Sequence, residues 1–290
     1  MKRQDYRFFH QLRVRWAEVD MQKIVFNANY LMYFDVAIAD YWRTLGLPYD
    51  AAMQQLGGDI YLRKATVDYR ASAHADDQID VALRCDRVGT TSLTFSGAVF
   101  RGDQGLVGGE LVYVFADPAT QTARPVPTAL RDLLADYEAG HAVVSLHQGS
   151  WEALGPDARK VRSEVFLQEQ SIPEALEWDA ADATALHVVA RNRLGQALAT
   201  GRLLTHAPGV GQIGRVAVVR AVRGAHLGRD VLEALLAAAW ARGDAEVMLH
   251  AQCSAVGFYQ RLGFHRRGPE FDEAGIPHVE MRIRREPQLG

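Results

Sequence analysis

Residues 29–45 would place apolar side chains on almost every face of a helix: Tyr30, Leu31, Met32, Tyr33, Phe34, Val36, Ala37, Ile38, Tyr41 and Trp42. A helix that is apolar nearly all round has no face to give to water, so protein must surround it. Gly46 suits its C-terminal stop. Strand-like runs follow in series at 60–71, 78–88, 92–101 and 108–116, with Gly89 and the stretch 102–105 as turns. An alternating segment at 8–16 reads as another strand, and 129–138 as a short helix. The first half is therefore expected to be an antiparallel sheet wrapped around one central helix.

The second half has a different rhythm. A helix is expected at 161–169, then a hairpin of 186–191 and 197–205 across Asn192-Arg193-Leu194-Gly195. A strand at 212–219 leads to a helix at 229–242, whose apolar residues at 231, 232, 235, 236 and 239 form one stripe. Gly243 ends it. A strand at 247–250, a helix at 255–262 and a strand at 278–283 complete a mixed α/β pattern. Between the halves, Gly140, Gly149 and Gly155-Pro156 read as loop punctuation. The expected division is a first domain at 1–140, a linker at 141–150 and a second domain at 151–290.

Two domains also suit the 290 residues, and a 48% hydrophobic content suffices for two cores. The 32 Lys+Arg and 35 Asp+Glu leave a net charge of -3. No global basic field is present to hold nucleic acid or an anionic membrane. Cys85 and Cys253 form no CxxC pair, which argues against a disulfide framework or a cysteine zinc site. Residues 1–11 carry charges and no apolar signal core, and the apolar run 231–241 is too short to span a bilayer. The expectation is a soluble, cytoplasmic protein with no metal site.

Chemistry first appears in Arg15-Trp16-Ala17-Glu18-Val19-Asp20, continuing through Lys23, Val25, Phe26 and Asn27 to Asn29-Tyr30. A carboxylate just outside a helix start stays ionised beside the positive end of the dipole. Exposed N–H groups there can receive the oxygen of a thioester under attack. The segment resembles the active-site segment of hotdog-fold acyl-CoA thioesterases, of the 4-hydroxybenzoyl-CoA thioesterase and YbgC-like kind, over roughly residues 7–135. The resemblance implies that Asp20 is the catalytic carboxylate, as nucleophile or as general base. It also implies that the Asn27 N–H binds the thioester oxygen. Phe26, Tyr30 and Tyr33 hint at an acyl or aryl chamber. Lys23 stands where many relatives have Gly, and Asn27 where close relatives often have His. Glu18 is expected in solvent at a strand end.

A second site is expected at Arg223-Gly224-Ala225-His226-Leu227-Gly228-Arg229, between a strand and a helix. Small residues and free N–H groups at a helix start make an anion seat. The loop resembles motif A of the GNAT acetyltransferases, with His226 at a glycine position. Residues 162–170 with Glu177, Asp179, Asp182 and His187 are similar to ElaA-like members of that family. So are Ala255-Val256-Gly257-Phe258-Tyr259 with Arg261-Leu262-Gly263-Phe264, and Gly275-Ile276-Pro277-His278. The resemblance spans roughly 150–284. It implies acyl transfer from acyl-CoA to an amine, with the loop on the CoA pyrophosphate and N–H groups around Val216 and Val218 on the thioester and pantetheine. Tyr259 would protonate the leaving thiolate. His187 and His278 are candidates for the acceptor pocket, and Glu169 for a base. The acidic residues Glu174, Glu177, Asp179 and Asp182 are expected in a charged surface loop.

The expected function is a bifunctional CoA-thioester enzyme, with acyl-CoA as substrate of both halves and no permanently bound cofactor. The alternatives are one active half with the other a scaffold, or an acyl-CoA-binding sensor. The hotdog resemblance also implies a homodimer or homotetramer.

Overall fold

The central helix of the first half, α1 (Asn29–Thr44), buries a stripe rather than its whole circumference. Tyr30, Tyr33, Phe34, Ala37, Ile38, Tyr41 and Trp42 face inward at the i, i+3, i+4 spacing. Leu31, Met32 and Val36 remain 39%, 40% and 47% exposed, so a single chain does not surround the helix. This arrangement is seen in a computed structural model, which describes residues 1–285. The chain divides into two units after Val143.

In the first unit, β1 (Phe8–Arg13) precedes α1, and the short helix α2 (Tyr49–Leu56) follows it. Next come β2 (Asp59–Tyr69), β3 (Gln78–Val88), β4 (Ser92–Arg101), β5 (Gln104–Ala116) and the helix α3 (Thr128–Glu138). The five strands form one antiparallel sheet in the order β1-β3-β4-β5-β2. The sheet holds α1 through a glycine seat: Gly97 and Gly109 lie opposite each other on β4 and β5. A Cβ on either would come within 2.6 or 2.9 Å of the Phe34 ring. Strand β2 is an edge, and most of its residues are exposed.

The second unit starts inside the stretch expected to be a linker. Residues Val144–Gly149 form β6, paired antiparallel with β7 (Leu186–Asn192). An edge strand needs few apolar residues, and Leu146 is exposed, so its alternation is too weak to read. Gly155-Pro156 proves to be helical, within α4 (Trp151–Arg162). The chain then continues as a π-helix at Ser163–Glu169, where a plain helix was expected. After the short α5 (Glu174–Glu177) and β7 come β8 (Ala197–Ala207) and β9 (Val210–Val218). The helix α6 (Leu227–Arg242) starts two residues earlier than the expected 229 and ends at Gly243, at φ 96°. β10 (Glu246–Gln252), α7 (Val256–Gln260), β11 (His265–Glu273) and β12 (Ile276–Arg284) complete the unit. The seven strands run in the order β11-β12-β10-β9-β8-β7-β6.

One feature of this sheet positions a site. β9 and β10 are parallel, but they pair only from Val210 to Ile213 against Glu246 to Leu249. Beyond Ile213 they part, and the β8–β9 register breaks beside Arg215, at φ 53°. Past that point, N–H groups of β9 that face the gap have no β10 partner among the described residues.

Candidate active sites

In the first unit, Asp20 sits in a tight turn and is partly buried. Its N–H donates to the Ile24 carbonyl at 2.9 Å, and the Lys23 N–H donates to the Asp20 carbonyl at 2.9 Å. One carboxylate oxygen accepts from the Gln22 N–H at 2.7 Å. Lys23 has φ 62°, so the left-handed conformation that a glycine would favour is present without the glycine. The backbone N–H groups of Asn27 and Ala28, just before α1, find no acceptor among the described residues. The Tyr69 hydroxyl donates to the Asn27 carbonyl at 3.0 Å and steadies that turn. Trp16, Met21 and Phe26, on the same segment of chain, are exposed.

Two expectations about this site need correction. Tyr30 and Tyr33, expected in an acyl or aryl chamber, belong to the core instead: both are 2% exposed, and the Tyr30 hydroxyl accepts the Ala73 N–H at 3.0 Å. Glu18 is not at the surface either. It is buried, accepting from the Arg15 N–H and the Tyr33 hydroxyl, both at 2.8 Å, and pairing with the Arg15 guanidinium. Its carbonyl accepts from the Phe26 N–H and the Asn29 side-chain amide. Glu18 therefore ties the Asp20 turn to α1. The signal in the sequence was Arg15 three residues before Glu18, combined with a polar tip on the inward-facing Tyr33.

In the second unit, the loop ahead of α6 presents the N–H groups of Gly224, His226, Leu227 and Gly228 without acceptors among the described residues. Gly224 has φ 95° and His226 φ 63°. As at Lys23, the backbone keeps a glycine-like conformation under a residue with a side chain. The other members of the loop are already engaged. The Ala225 N–H donates to Val222, and Arg229 pairs with Glu233 at 2.7 Å. Arg223 donates through Nε to the Val218 carbonyl at 3.1 Å and pairs with Glu169 through both Nη atoms at 2.7 Å. Glu169 is thus committed to an arginine, which corrects its reading as a base.

The gap between β9 and β10 opens into a cavity of about 350 Å³. Val216, Tyr259, His250, Gln252, Glu273 and His278 contribute to its wall. Tyr259 comes from α7, wedged edge-on against Phe258 and Phe264. Burial pushes its phenol up to about 12, and its hydroxyl has no partner among the described residues. A phenol that stays protonated at neutral pH is suited to give a proton to a leaving thiolate. His278 donates from Nδ1 to the Ile276 carbonyl at 2.8 Å and stacks on Phe271.

His187 lies elsewhere. It is 1% exposed, donates from Nε2 to the Asp182 carbonyl at 2.8 Å and packs on Trp151, so it serves the core and not the cavity. Burial lowers its pKa. The expected acidic surface loop is only partly at the surface: Glu174 and Asp179 are exposed, while Glu177 and Asp182 are buried. Arg162 pairs with Glu177 and Asp182, Arg202 with Asp179 and Asp182, and Arg215 with Glu177 and Asp179. Periodicity could not reveal this, because three arginines distant in sequence neutralise the cluster. His250 and Glu273 had no motif of their own and were missed. Among the described residues, no three His, Cys, Asp or Glu side chains converge as a metal site would require.

Known proteins match the two units separately. The family model described as the thioesterase superfamily matches residues 22–108, and that of the acetyltransferase (GNAT) domain matches 152–285. An uncharacterised N-acetyltransferase of Bacillus subtilis, YjcF, is 35% identical over 126 residues, 43% of this chain and 89% of its own length. A protein of Aquifex aeolicus provisionally named an esterase is 33% identical over 96 residues, 33% of this chain and 74% of its own. A crystal structure from Lactobacillus plantarum, provisionally an N-acetyltransferase, is 28% identical with a TM-score of 0.46, covering 49% of this chain and 98% of that one. The chain belongs to two families, the thioesterase superfamily through its first unit and the GNAT acetyltransferases through its second.

Proposed function

We propose that the chain is a bifunctional CoA-thioester enzyme. The first unit hydrolyses an acyl-CoA, and the second transfers an acyl group, acetyl in the simplest case, from CoA to an amine. The observation that carries the reading is Tyr259: a protonated, unpartnered phenol in the cavity where β9 and β10 part. The anion seat at Gly224, His226, Leu227 and Gly228 supports it, because a pyrophosphate would complete those four N–H groups. In the first unit, the Asp20 carboxylate in the turn ahead of α1 and the unpaired N–H of Asn27 just before that helix support thioester hydrolysis. Asp20 attacks the carbonyl or activates water, and the Asn27 N–H takes the developing oxyanion. Mass spectrometry of a primary-amine panel incubated with acetyl-CoA tests the transferase reading. Tyr259→Phe is expected to lower acetyl-amine formation by ~10²-fold. Equal formation by the variant would contradict the role.

The reading also includes a homodimer through the first unit. Leu31, Met32 and Val36 leave an apolar stripe of α1 open, and β2 is an unpaired edge. A second copy would cover both. Light scattering is expected to give at least twice the 32.1 kDa of one chain, and a monomer at working concentration would contradict it.

A further inference from the structure

The two carboxylates in the wall of the second unit's cavity are held differently. Glu177 pairs with Arg162 and Arg215. Glu273, at the end of β11, has no arginine among the described residues and faces Nδ1 of His250 at 3.2 Å. His250 projects from β10, the strand whose divergence from β9 opens the cavity, and its side chain is 35% exposed. Phe271 meets its ring edge-on at 4.8 Å. An ionised carboxylate only accepts, so the hydrogen sits on Nδ1 and the lone pair on Nε2.

The surroundings suit a proton acceptor. From β12, Glu280 lies directly across from His250, but it accepts from Arg282 at 2.6 Å and has Arg267 at 3.9 Å. His278, also on β12, faces the same cavity. Also in the cavity wall, Arg202 and Arg215 are engaged with Asp179, Asp182 and Glu177. Glu273 is therefore the carboxylate left to balance an imidazolium at His250. His278 also has a free Nε2, but only a carbonyl on Nδ1, and it is 9% exposed. It has neither the counter-charge nor the path to solvent.

We propose that His250 is the base that deprotonates the acceptor amine, with Glu273 as its positioning residue; this rests on the acyl-transfer reading above. The acceptor ammonium gives one proton to Nε2 of His250, and its freed lone pair attacks the thioester carbonyl carbon. A C–N bond forms, the C–S bond breaks, and the departing thiolate takes the Tyr259 proton. The second proton lost by the nitrogen restores the Tyr259 phenol, and the imidazolium returns its proton to water. The net products are the amide, free CoA thiol and one proton.

Two measurements test the dyad. Transfer from acetyl-CoA is followed across pH with a primary-amine panel that includes benzylamine and 4-methoxyaniline. His250→Gln is expected to lower kcat/KM for protonated alkylamines by ~10²-fold at neutral pH, a loss that shrinks at high pH where the free amine is abundant. KM for acetyl-CoA should hold, and the neutral arylamine should lose less. His278→Gln should not show this pH-dependent loss. By 15N NMR, independent of turnover, Glu273→Ala should shift the His250 ring away from the Nδ1–H tautomer, because the carboxylate is the acceptor that holds that hydrogen. An unchanged tautomer in Glu273→Ala, an undiminished rate in His250→Gln, or the same pH-dependent loss in His278→Gln instead would each overturn the dyad while leaving acyl transfer standing. A wild-type chain that acetylates no amine overturns the reading beneath it and the dyad together.

Discussion

Arg223 and Glu169 meet fork to fork, with both arms at 2.7 Å. The pair joins the loop before α6 to the end of the π-helix, which reaches the cavity through Phe166. The Arg223 hydrogen bonds hold the Glu169 carboxyl below its ordinary range. A guanidinium used in this way is not free for a pyrophosphate. Glu169→Gln should therefore tighten CoA binding by roughly three- to tenfold at low salt, with a smaller gain at high salt. Calorimetric titration with CoA measures it, and unchanged affinity would mean that Arg223 takes no part in the seat.

Glu18 makes the stability of the first unit depend on pH. Burial alone would raise its pKa, but the Arg15 N–H, the Arg15 guanidinium and the Tyr33 hydroxyl outweigh burial and hold it below 4.5. The folded value is depressed, so the stabilisation is full above the unfolded value and is lost as pH falls through the folded one. Glu18→Gln should cost about 1–3 kcal/mol at neutral pH and flatten the acid limb below pH 4.5. Denaturant midpoints of the first unit across that range check both.

His226 and Lys23 hold φ values of 63° and 62°, where a Cβ is crowded. Replacing each with glycine should stabilise its unit by about 1 kcal/mol, because the left-handed region costs an L-residue ~1–2 kcal/mol. Valine at either position should destabilise, since branching at Cβ adds to the crowding. Thermal midpoints of the four variants give the answer.

Arg162 is 1% exposed and faces Glu177 and Asp182. Arg162→Met leaves two buried carboxylates short of a cation, at a cost of about 3–5 kcal/mol. Loss of the second unit's cooperative unfolding, with the first unit's transition unmoved, is the expected result in a melt.

Periodicity was enough to read most of the architecture. β3 and β4 lie at the expected residues, and the α6 stripe at Val231, Leu232, Leu235, Leu236 and Ala239 is buried as its spacing implies. The α1 pattern misled on one point, since Leu31, Met32 and Val36 are apolar yet open in one chain. Edge and outer strands escaped for a physical reason. β6 and β11 are mostly solvated, so their sequences carry little alternation. Pro156 misled because it sits inside a helix despite lacking an N–H to donate. Of the site, the turn and loop were legible because their backbone shapes need particular residues. His250 with Glu273, and Arg223 with Glu169, were not, because each pair joins segments that only the folded sheet brings together.

The central claim is two independent heads on one chain. Its most direct test is CoA-thiol release from acetyl- and aryl-CoA, with and without the amine panel, by the wild type, Asp20→Asn and Tyr259→Phe. The account predicts amine-independent release that Asp20→Asn abolishes and Tyr259→Phe spares. It also predicts amine-dependent release with the opposite sensitivities. One variant abolishing both activities, or release indifferent to both substitutions, would contradict it.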